Sequence, residues 1–275
     1  MSEGNIPVLT VEAETLPESW EKAVVKTWNE GIQIKTEYDK PEDPASRDAT
    51  MIMVCLDPFK EPRLHRAFPA GIEDLEVYRQ EVVDGIHDSW ICPQEGKWTY
   101  TYHQRLFSFP IEGKTVNQIN YIIEKLSKIS YTRRAQAITW NPLTDPPTGD
   151  PPCLQRIWFR IFNDGNGDPV LNMNTHWRSR DAYKASFMNI FALTDLQRIM
   201  AEKIGEKIGK TVKVGRYVDI SDSFHIYGSY YKDFKGFLDT LEKRSFEQRT
   251  WTTEFAQPMF EEAREKLKKV DSQES

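Results

Sequence analysis

Two alternating segments, residues 154–162 and 169–179, place the strongest constraint on how this chain can fold. "LQRIWFRIF" and "PVLNMNTHWRS" alternate polar with large apolar residues, and the "NDGNGD" between them has the Gly, Asn and Asp content of a hairpin loop. Alternation of this kind gives a strand one buried face and one more polar face. The sequence therefore predicts two antiparallel strands joined by a short loop.

A long helix is predicted after this strand pair, because apolar residues recur at helical spacing from Asp181 to about Ile204 and form a broad stripe that is expected to be buried. Further helices are predicted over 16–31, 73–84, 116–129 and 232–243, and a charged helix from Phe260 onward. Further strands are predicted at "MIMVCL", at "SYTRRAQAITW" and near 211–219, with a polar loop over 39–50. This mixture of elements indicates an α+β fold.

The composition is that of an ordinary globular chain, and it excludes several classes of protein. The 275 residues contain no apolar run near the roughly 20 residues that span a bilayer, and the first residues do not resemble a secretory signal, so we expect a cytoplasmic protein without membrane contact. A formal net charge of −6 opposes binding to nucleic acid. No repeat or compositional break marks a second unit. We therefore expect one domain over 1–275, with a core at about 10–245 and a charged helical tail at 246–275.

The three cysteines, Cys55, Cys92 and Cys153, show neither a disulfide framework nor metal-ligand spacing, so no metal is expected. Cys55 lies inside an apolar segment and fits an inert buried thiol. Cys153 differs, because two prolines precede it and arginines are frequent in the same block of strands. Nearby guanidinium groups favour the thiolate form, which is the nucleophile. Cys153 is therefore a candidate nucleophile, although a buried inert thiol is the alternative.

Arginines and a His/Tyr pair are candidates for binding a substrate. Arg133, Arg134 and Arg178 would form a phosphate site if they converged, since several guanidinium groups can bind one phosphate by paired hydrogen bonds. The alternative is that they are solvated charges at strand ends. His225 and Tyr227 lie two residues apart and share a face on a strand, where they could bind a sugar hydroxyl or simply pack.

Four motifs, taken together, resemble the thymidylate synthase family. They are "RRAQAITWNP" at 133–142, "PPC" at 151–153, "RSRDAYKASFMN" at 178–189 and "FHIY" at 224–227, in the family's order and near its spacings. "YTYHQRLF" at 100–107 is most similar to the archaeal-type and hydroxymethylase-like branch. The resemblance implies a single-domain α+β fold with a mainly antiparallel or mixed sheet packed on a long buried helix, and a homodimer formed through the sheet.

The resemblance also implies a reaction. Cys153 matches the nucleophile whose thiolate adds to C6 of a pyrimidine nucleoside monophosphate, so that C5 takes a one-carbon unit from 5,10-methylenetetrahydrofolate or a pterin analogue. Asn189 matches the asparagine that hydrogen-bonds to uracil, which favours dUMP as substrate and dTMP as product. A nucleotide 5-hydroxymethylase acting on dUMP, CMP or dCMP, in which water traps the methylene group, is the nearest alternative. A non-catalytic nucleotide or RNA binder is another.

The remaining roles are implied residue by residue. Arg178 and Ser179 match phosphate contacts, Arg133 and Arg134 match the pair donated across the dimer interface, and Arg47 resembles a further phosphate ligand, although the family's glycine-threonine run beside it is missing. His225 and Tyr227 match contacts to the ribose 3′-hydroxyl. Tyr102 matches a catalytic tyrosine, Asp181 a carboxylate facing the pterin, and Trp90 an aromatic wall against the folate. The general base matches Glu81, with Glu76 as the alternative.

The chain departs from the family pattern in several places. Leu154 stands where the synthases commonly have histidine, Trp177 where they have glutamine, and Arg180 and Lys184 add charge to the motif around Asn189. The sequence ends in a charged helix where typical synthases have a short apolar segment that closes over the folate. An intermediate left open to water could be hydroxylated, so this departure keeps the hydroxymethylase reaction open.

Overall fold

The computed structural model describes residues 4–274 and contains one large mixed sheet with helices packed against it. The helices are α1 Leu16–Glu30, α2 Ile72–Asp84, α3 Tyr102–Phe107, α4 Gln118–Lys128, α5 Ser186–Ile208, α6 Tyr231–Lys243 and α7 Thr253–Glu274. The strands are β1 Val8–Ala13, β2 Ile32–Ile34, β3 Ser46–Cys55, β4 Leu64–His65, β5 Phe109–Ile111, β6 Lys114–Val116, β7 Gln136–Ile138, β8 Leu154–Asn163, β9 Pro169–Trp177, β10 Arg180–Asp181, β11 Lys213–Ile226 and β12 Thr250–Trp251.

The large sheet has the order β1-β3-β11-β9-β8-β7, with β2 paired to β3 and β10 paired to β11. Strand β1 is parallel to β3 and β9 is parallel to β11, whereas β3 and β11, β8 and β9, and β7 and β8 are antiparallel. The predicted strand pair is the β8–β9 hairpin. In its loop the Asp164 carboxylate accepts from the backbone N–H groups of Asn166 and Asp168, at 2.9 and 3.0 Å, which fixes the turn.

Helix α5 is the long buried helix, and it packs against β9 and β11. Its Gln197 is fully buried and donates to the carbonyls of Leu171 and Gly215, at 2.8 and 3.1 Å, where the register between β9 and β11 shifts. These bonds satisfy backbone acceptors that the irregular ladder leaves without partners. The predicted α+β class and the sheet packed on a long buried helix are confirmed.

One face of the sheet carries the helices, and the other remains partly exposed. Buried and less buried residues alternate along β9, over 49–55 of β3 and over 214–222 of β11, as in Met51 and Met53 against Ile52 and Val54. Helix α7 packs against α2, and its buried Phe260 contacts Phe191 of α5, with ring centres 5.9 Å apart. Across residues 4–274, no helix is both long and apolar enough to cross a membrane.

Several predicted boundaries are wrong. The loop predicted over 39–50 becomes strand β3 at Ser46, because its backbone pairs with β2 on one side and with the end of β11 on the other. Residues 181–185 are not helical, since the Asp181 carboxylate accepts from the N–H groups of Tyr183 and Lys184 and turns the chain before α5 begins at Ser186.

Other boundaries also differ from the prediction. Of "SYTRRAQAITW" only Gln136–Ile138 is a strand, and the strand predicted near 211–219 continues to Ile226. Strand β1, Val8–Ala13, was not predicted.

Candidate active site

The candidate residues from separate parts of the sequence meet at one end of the sheet. Cys153 immediately precedes β8, Arg178 follows β9, Asp181 lies in β10, His225 lies near the end of β11, and Arg47 lies near the start of β3. Because β8 and β3 run opposite to β9 and β11, these starts and ends lie at the same end of the sheet. Strand direction therefore gathers residues that are more than 170 positions apart in sequence.

Cys153 lies in a bend that Arg178 and Tyr102 hold from two sides. The guanidinium of Arg178 donates to the carbonyls of Pro151 and Pro152, at 2.6 and 3.1 Å, and the backbone N–H of Arg178 donates to the Cys153 carbonyl at 2.9 Å. The N–H of Leu154 donates to the Tyr102 hydroxyl at 3.2 Å. The two prolines and these four bonds fix the position of the thiol.

The electrostatic environment of Cys153 contains opposing contributions. Burial raises the pKa of the Cys153 thiol above its ordinary value, Arg178 and Arg180 lower it, and Asp150 raises it. The arginines act in the direction expected from the sequence, but burial outweighs them. The neutral thiol of Cys153 is therefore favoured over the thiolate more strongly than the two arginines alone would predict.

A cavity of about 420 Å³ extends beside the cysteine bend. Tyr78 and Glu81 of α2 contribute to it from one turn of the helix, and Asp150, from the segment before Cys153, lines it as well. The remaining lining residues are Gly96, Lys97, Trp98, Thr99, Tyr100, Thr101 and Tyr102. Tyr102 connects the cavity to the nucleophile, because its ring lines the space while its hydroxyl accepts from Leu154. The volume is in the range of small-molecule sites.

Glu81 is the carboxylate of α2 that faces this cavity. Burial raises the pKa of Glu81, and the nearby Asp88 raises it further, against the effect of His87, whose Nδ1 lies 2.9 Å from the carboxylate. A raised pKa makes a carboxyl better able to hold and donate a proton. The His87 ring in turn stacks on Trp90, with ring centres 3.8 Å apart.

Glu76, the alternative general base, has a different environment. Its side chain is 1% exposed, and its carboxylate is bonded to Arg79, Gln80 and Arg264. Arg264 belongs to α7, so the Glu76 carboxylate joins α2 to α7. It does not line the cavity, whereas Glu81 does.

Asn189 lies in the second turn of α5 and is 7% exposed. Its Nδ2 donates to the Tyr78 hydroxyl at 2.7 Å, which places the amide next to the cavity. Two other charged residues of the motif, Arg180 and Lys184, make contacts within the fold. Arg180 is buried, pairs with the Asp219 carboxylate and lies 4.0 Å over the Trp177 ring, and Lys184 lies 3.8 Å over Tyr230.

His225 has one ring nitrogen bonded and one without a partner. Its Nδ1 lies 3.2 Å from Ser223 Oγ, which donates to the Asp48 carboxylate at 2.8 Å. Nε2 is buried and has no partner among the described residues. Burial lowers the pKa of His225 to about 4, so the ring is neutral at physiological pH. Tyr227 contacts it edge to face, with ring centres 4.6 Å apart.

The other predicted ligands lie around this end of the sheet. Arg47 donates to the Gly31 carbonyl at 3.2 Å and lies 5.4 Å over the Trp28 ring. Ser179 is partly exposed between Arg178 and β10. Burial raises the pKa of Asp181, against the backbone N–H donors of the turn that it holds. Trp90 is 46% exposed.

Arg133 and Arg134 do not reach the site within one protomer. Both are exposed, and they precede Ala135, whose carbonyl accepts from Phe159. Phe159 is six residues beyond Cys153 in β8, a distance of about 20 Å along a strand. The structure therefore separates this pair from the other phosphate candidates of the same chain.

Several residues of the cavity were not found from sequence. Tyr78 lies one helical turn before Glu81, so the predicted helix 73–84 contained a signal for it. Tyr100 lies in the motif at 100–107, but no role was assigned to it. Asp150, and His87 that bonds to Glu81, carry no local pattern, because their positions depend on how loops fold over the cysteine bend and α2. Within residues 4–274 there is no group of three or more His, Cys, Asp or Glu placed to hold a metal ion.

Comparison with known proteins identifies the family. The family model described as "Thymidylate synthase" matches residues 67–267. A protein of Methanocaldococcus jannaschii named "Putative thymidylate synthase" is 30% identical over 225 residues, covering 80% of this chain and 91% of that protein. A protein of Methanosarcina barkeri with the same name is 30% identical over 217 residues, covering 79% and 88%. This chain belongs to the thymidylate synthase family, as its motifs predicted.

A solved structure shows the same fold. Thermostable thymidylate synthase A from Bacillus subtilis superposes with a TM-score of 0.60 at 16% sequence identity, covering 82% of this chain and 84% of that one. The thymidylate synthase-like fold expected from the motifs is confirmed. Membership of the family indicates a one-carbon transferase.

Proposed function

We propose that this protein transfers a one-carbon unit from 5,10-methylenetetrahydrofolate to C5 of a pyrimidine nucleoside monophosphate, converting dUMP to dTMP. The observation that carries the proposal is the cysteine bend. Cys153 is fixed by Arg178 and Tyr102 next to a cavity that also presents Glu81, with Asn189 beside it. A nucleophile, a proton-exchanging carboxyl and an amide that can bind a base are thus gathered in one place.

Cys153 would act as the covalent nucleophile. Its thiolate adds to C6 of the pyrimidine, the C5–C6 double bond opens, and the electron pair moves to C5 and the C4 carbonyl. The folate supplies the carbon and, in a synthase, the hydride that completes the methyl group. Glu81 and Tyr102 are proposed to move protons, including removal of the C5 proton, before the thiolate leaves and the double bond re-forms.

Asn189 would bind the base. An amide has both a donor and an acceptor, which matches the O4 acceptor and the N3–H donor of uracil. His225 and Tyr227 would bind the ribose. A neutral imidazole with one bonded nitrogen leaves the other free to bond a hydroxyl, and Nε2 of His225 has no other described partner.

Arginines would bind the phosphate. Arg178, Ser179 and Arg47 lie at the correct end of the sheet, and bidentate guanidinium groups suit a phosphate dianion. On binding, Arg178 would share its donors between the phosphate and the Pro151 and Pro152 carbonyls that it now holds. Phosphate binding would thus be coupled to the position of Cys153.

The residues present fit a reduced folate or a related pterin. A planar ring requires a flat aromatic surface, and Trp98, which lines the cavity, would provide one. Trp90 contacts Trp98 edge to face, with ring centres 5.3 Å apart. Both indoles are partly exposed, at 46% and 39%. Asp181 is proposed to face the pterin.

A homodimer would complete each site. The uncovered face of the sheet presents two continuous rows of paired residues that run across its strands. They are Glu12, Val54, Val218, Asn174, Trp158 and Gln136 in one row, and Thr10, Ile52, Ile220, His176, Arg156 and Ile138 in the other. A twofold contact of this face with itself would bury the apolar members and bring Arg133 and Arg134 toward the partner's phosphate site.

The test is an assay of products. The protein is incubated with methylenetetrahydrofolate and dUMP, UMP, dCMP or CMP, the nucleotides are identified by mass, and dihydrofolate is followed by absorbance. The proposal predicts dTMP and dihydrofolate from dUMP, and no product from a Cys153→Ser variant. A hydroxymethylated product without dihydrofolate would establish the hydroxymethylase reaction instead. No product from any nucleotide would contradict the proposal.

A further inference from the structure

Tyr78 and Asn189 form a bonded pair beside the cavity. The Asn189 Nδ2 donates to Tyr78 Oη at 2.7 Å, and Tyr78 lines the cavity together with Glu81. Helices α2 and α5, which carry the two residues, pack against each other. Two packed helices therefore fix both partners, and the amide does not depend on a flexible loop for its orientation.

The protons of this pair can be counted. Burial raises the pKa of Tyr78 well above its ordinary value, so the hydroxyl keeps its single proton at neutral pH. An asparagine amide has two N–H donors and one carbonyl acceptor. Tyr78 uses one donor. The second N–H and Oδ1 remain for a ligand.

We infer that Tyr78 is a base-specificity residue, because its hydroxyl accepts the Asn189 amide proton that a uracil edge leaves unused. The inference rests on the proposed function, in which the base lies against Asn189. Uracil O4 would take the second N–H, and uracil N3–H would donate to Oδ1. Every polar group of the amide is then satisfied.

A cytosine edge has the opposite requirement. Its N4 amino group donates and its N3 accepts, so the Asn189 amide must turn by half a rotation, which directs Oδ1 toward Tyr78 and the amino group. The two orientations depend on Tyr78 unequally. If Tyr78 lacks its hydroxyl, the Asn189 orientation that binds uracil has a buried N–H without an acceptor. The orientation that binds cytosine loses only one bond to Oδ1, which still accepts from the cytosine amino group. Orphaned buried N–H groups are the rarer and more costly of the two.

The experiment is calorimetric titration of wild-type protein and Tyr78→Phe with dUMP and with dCMP. We expect the dUMP affinity of the variant to fall about tenfold and the dCMP affinity to change less than about threefold, in line with the effect of an unsatisfied buried donor. Tyr217→Phe is the matched control. It also removes a buried hydroxyl, bonded at 2.7 Å to Asp219, but Tyr217 does not line the cavity, so the ratio of the two affinities should stay at the wild-type value.

A second set of variants separates specificity from loss of structure. In Asn189→Asp no amide proton is present, so adding Tyr78→Phe should leave the dUMP-to-dCMP ratio unchanged. If Tyr78→Phe lost affinity equally for dUMP and dCMP, or for neither, the inference would be overturned. Nucleotide binding by the wild type would still support the proposed site. If the wild type binds neither nucleotide, the proposed function fails and the inference fails with it.

Discussion

Replacement of Arg180 by methionine tests whether this arginine serves the fold or the substrate. Arg180 and Asp219 are each 1% exposed in their side chains, and the guanidinium also donates to the Ser186 carbonyl at 2.9 Å. Asp219 is surrounded by neutral donors, the hydroxyls of Tyr217, Thr175 and Ser221 at 2.7, 3.1 and 3.0 Å. Removing the cation leaves a buried carboxylate whose charge is not balanced, because hydroxyl donors do not supply a positive charge.

The expected effect is large. Loss of one partner of a buried ion pair lowers the free energy of unfolding by about 3–5 kcal/mol, a large part of the roughly 5–15 kcal/mol that stabilises a typical domain. The double variant Arg180→Met/Asp219→Asn removes the unbalanced charge, so it should be more stable than Arg180→Met alone. Urea unfolding followed by tryptophan fluorescence measures both.

Arg178→Met is the matched control for this pair. Arg178 is partly exposed and donates to two proline carbonyls, so its loss should lower the free energy of unfolding by only about 1–2 kcal/mol while it abolishes tight nucleotide binding. The reasoning is refuted if Arg180→Met costs less than about 1 kcal/mol, or if the effects of Arg180→Met and Asp219→Asn simply add in the double variant.

Three further predictions concern the thiol, pH and the dimer. Asp150 raises the pKa of Cys153, so Asp150→Asn should lower that pKa and increase the rate at which iodoacetamide alkylates Cys153 at pH 8, as followed by peptide mass. An unchanged rate would contradict the effect of Asp150 on the Cys153 pKa. Burial lowers the pKa of His225 from 6.5 to about 4, so the unfolded state binds the proton first as the pH falls. The free energy of unfolding should therefore fall by about 3 kcal/mol between pH 6.5 and 4. Urea titrations at each pH should show a smaller loss in His225→Gln. Mixing inactive Cys153→Ser with an inactive Arg133→Ala/Arg134→Ala variant should restore about a quarter of the wild-type rate, because half of the randomly re-formed dimers contain one intact site out of two. No recovery of activity would contradict sharing of the site between subunits.

Much of the fold followed from local patterns in the sequence. The β8–β9 hairpin and α4 were predicted because alternation or a 3.6-residue period is visible within one segment. The start of β3 was missed because polar residues such as Asp48 dominate it, and only pairing with β2 and β11 makes them a strand. One carboxylate oxygen of Asp48 accepts from Ser223, a partner 175 residues away. Information of that kind is not contained in a local window.

The same limit applied to the site. Cys153, Arg178, Asn189 and His225 were predictable because each lies in a short motif. The contacts that hold them were not, because they join distant segments, as in the Tyr102 hydroxyl with the Leu154 N–H. The sequence also predicted that arginines would favour the thiolate, but it contained no measure of the burial that outweighs them.

Trapping the covalent adduct tests whether Cys153 is the nucleophile. The protein is incubated with methylenetetrahydrofolate and 5-fluoro-dUMP, whose C5 substituent cannot leave as a proton, and intact protein and peptides are weighed by mass spectrometry. We expect a mass increase equal to the nucleotide plus the folate, located on the peptide that contains Cys153 and absent in Cys153→Ser. No mass increase, or an adduct located on Cys92, would contradict it.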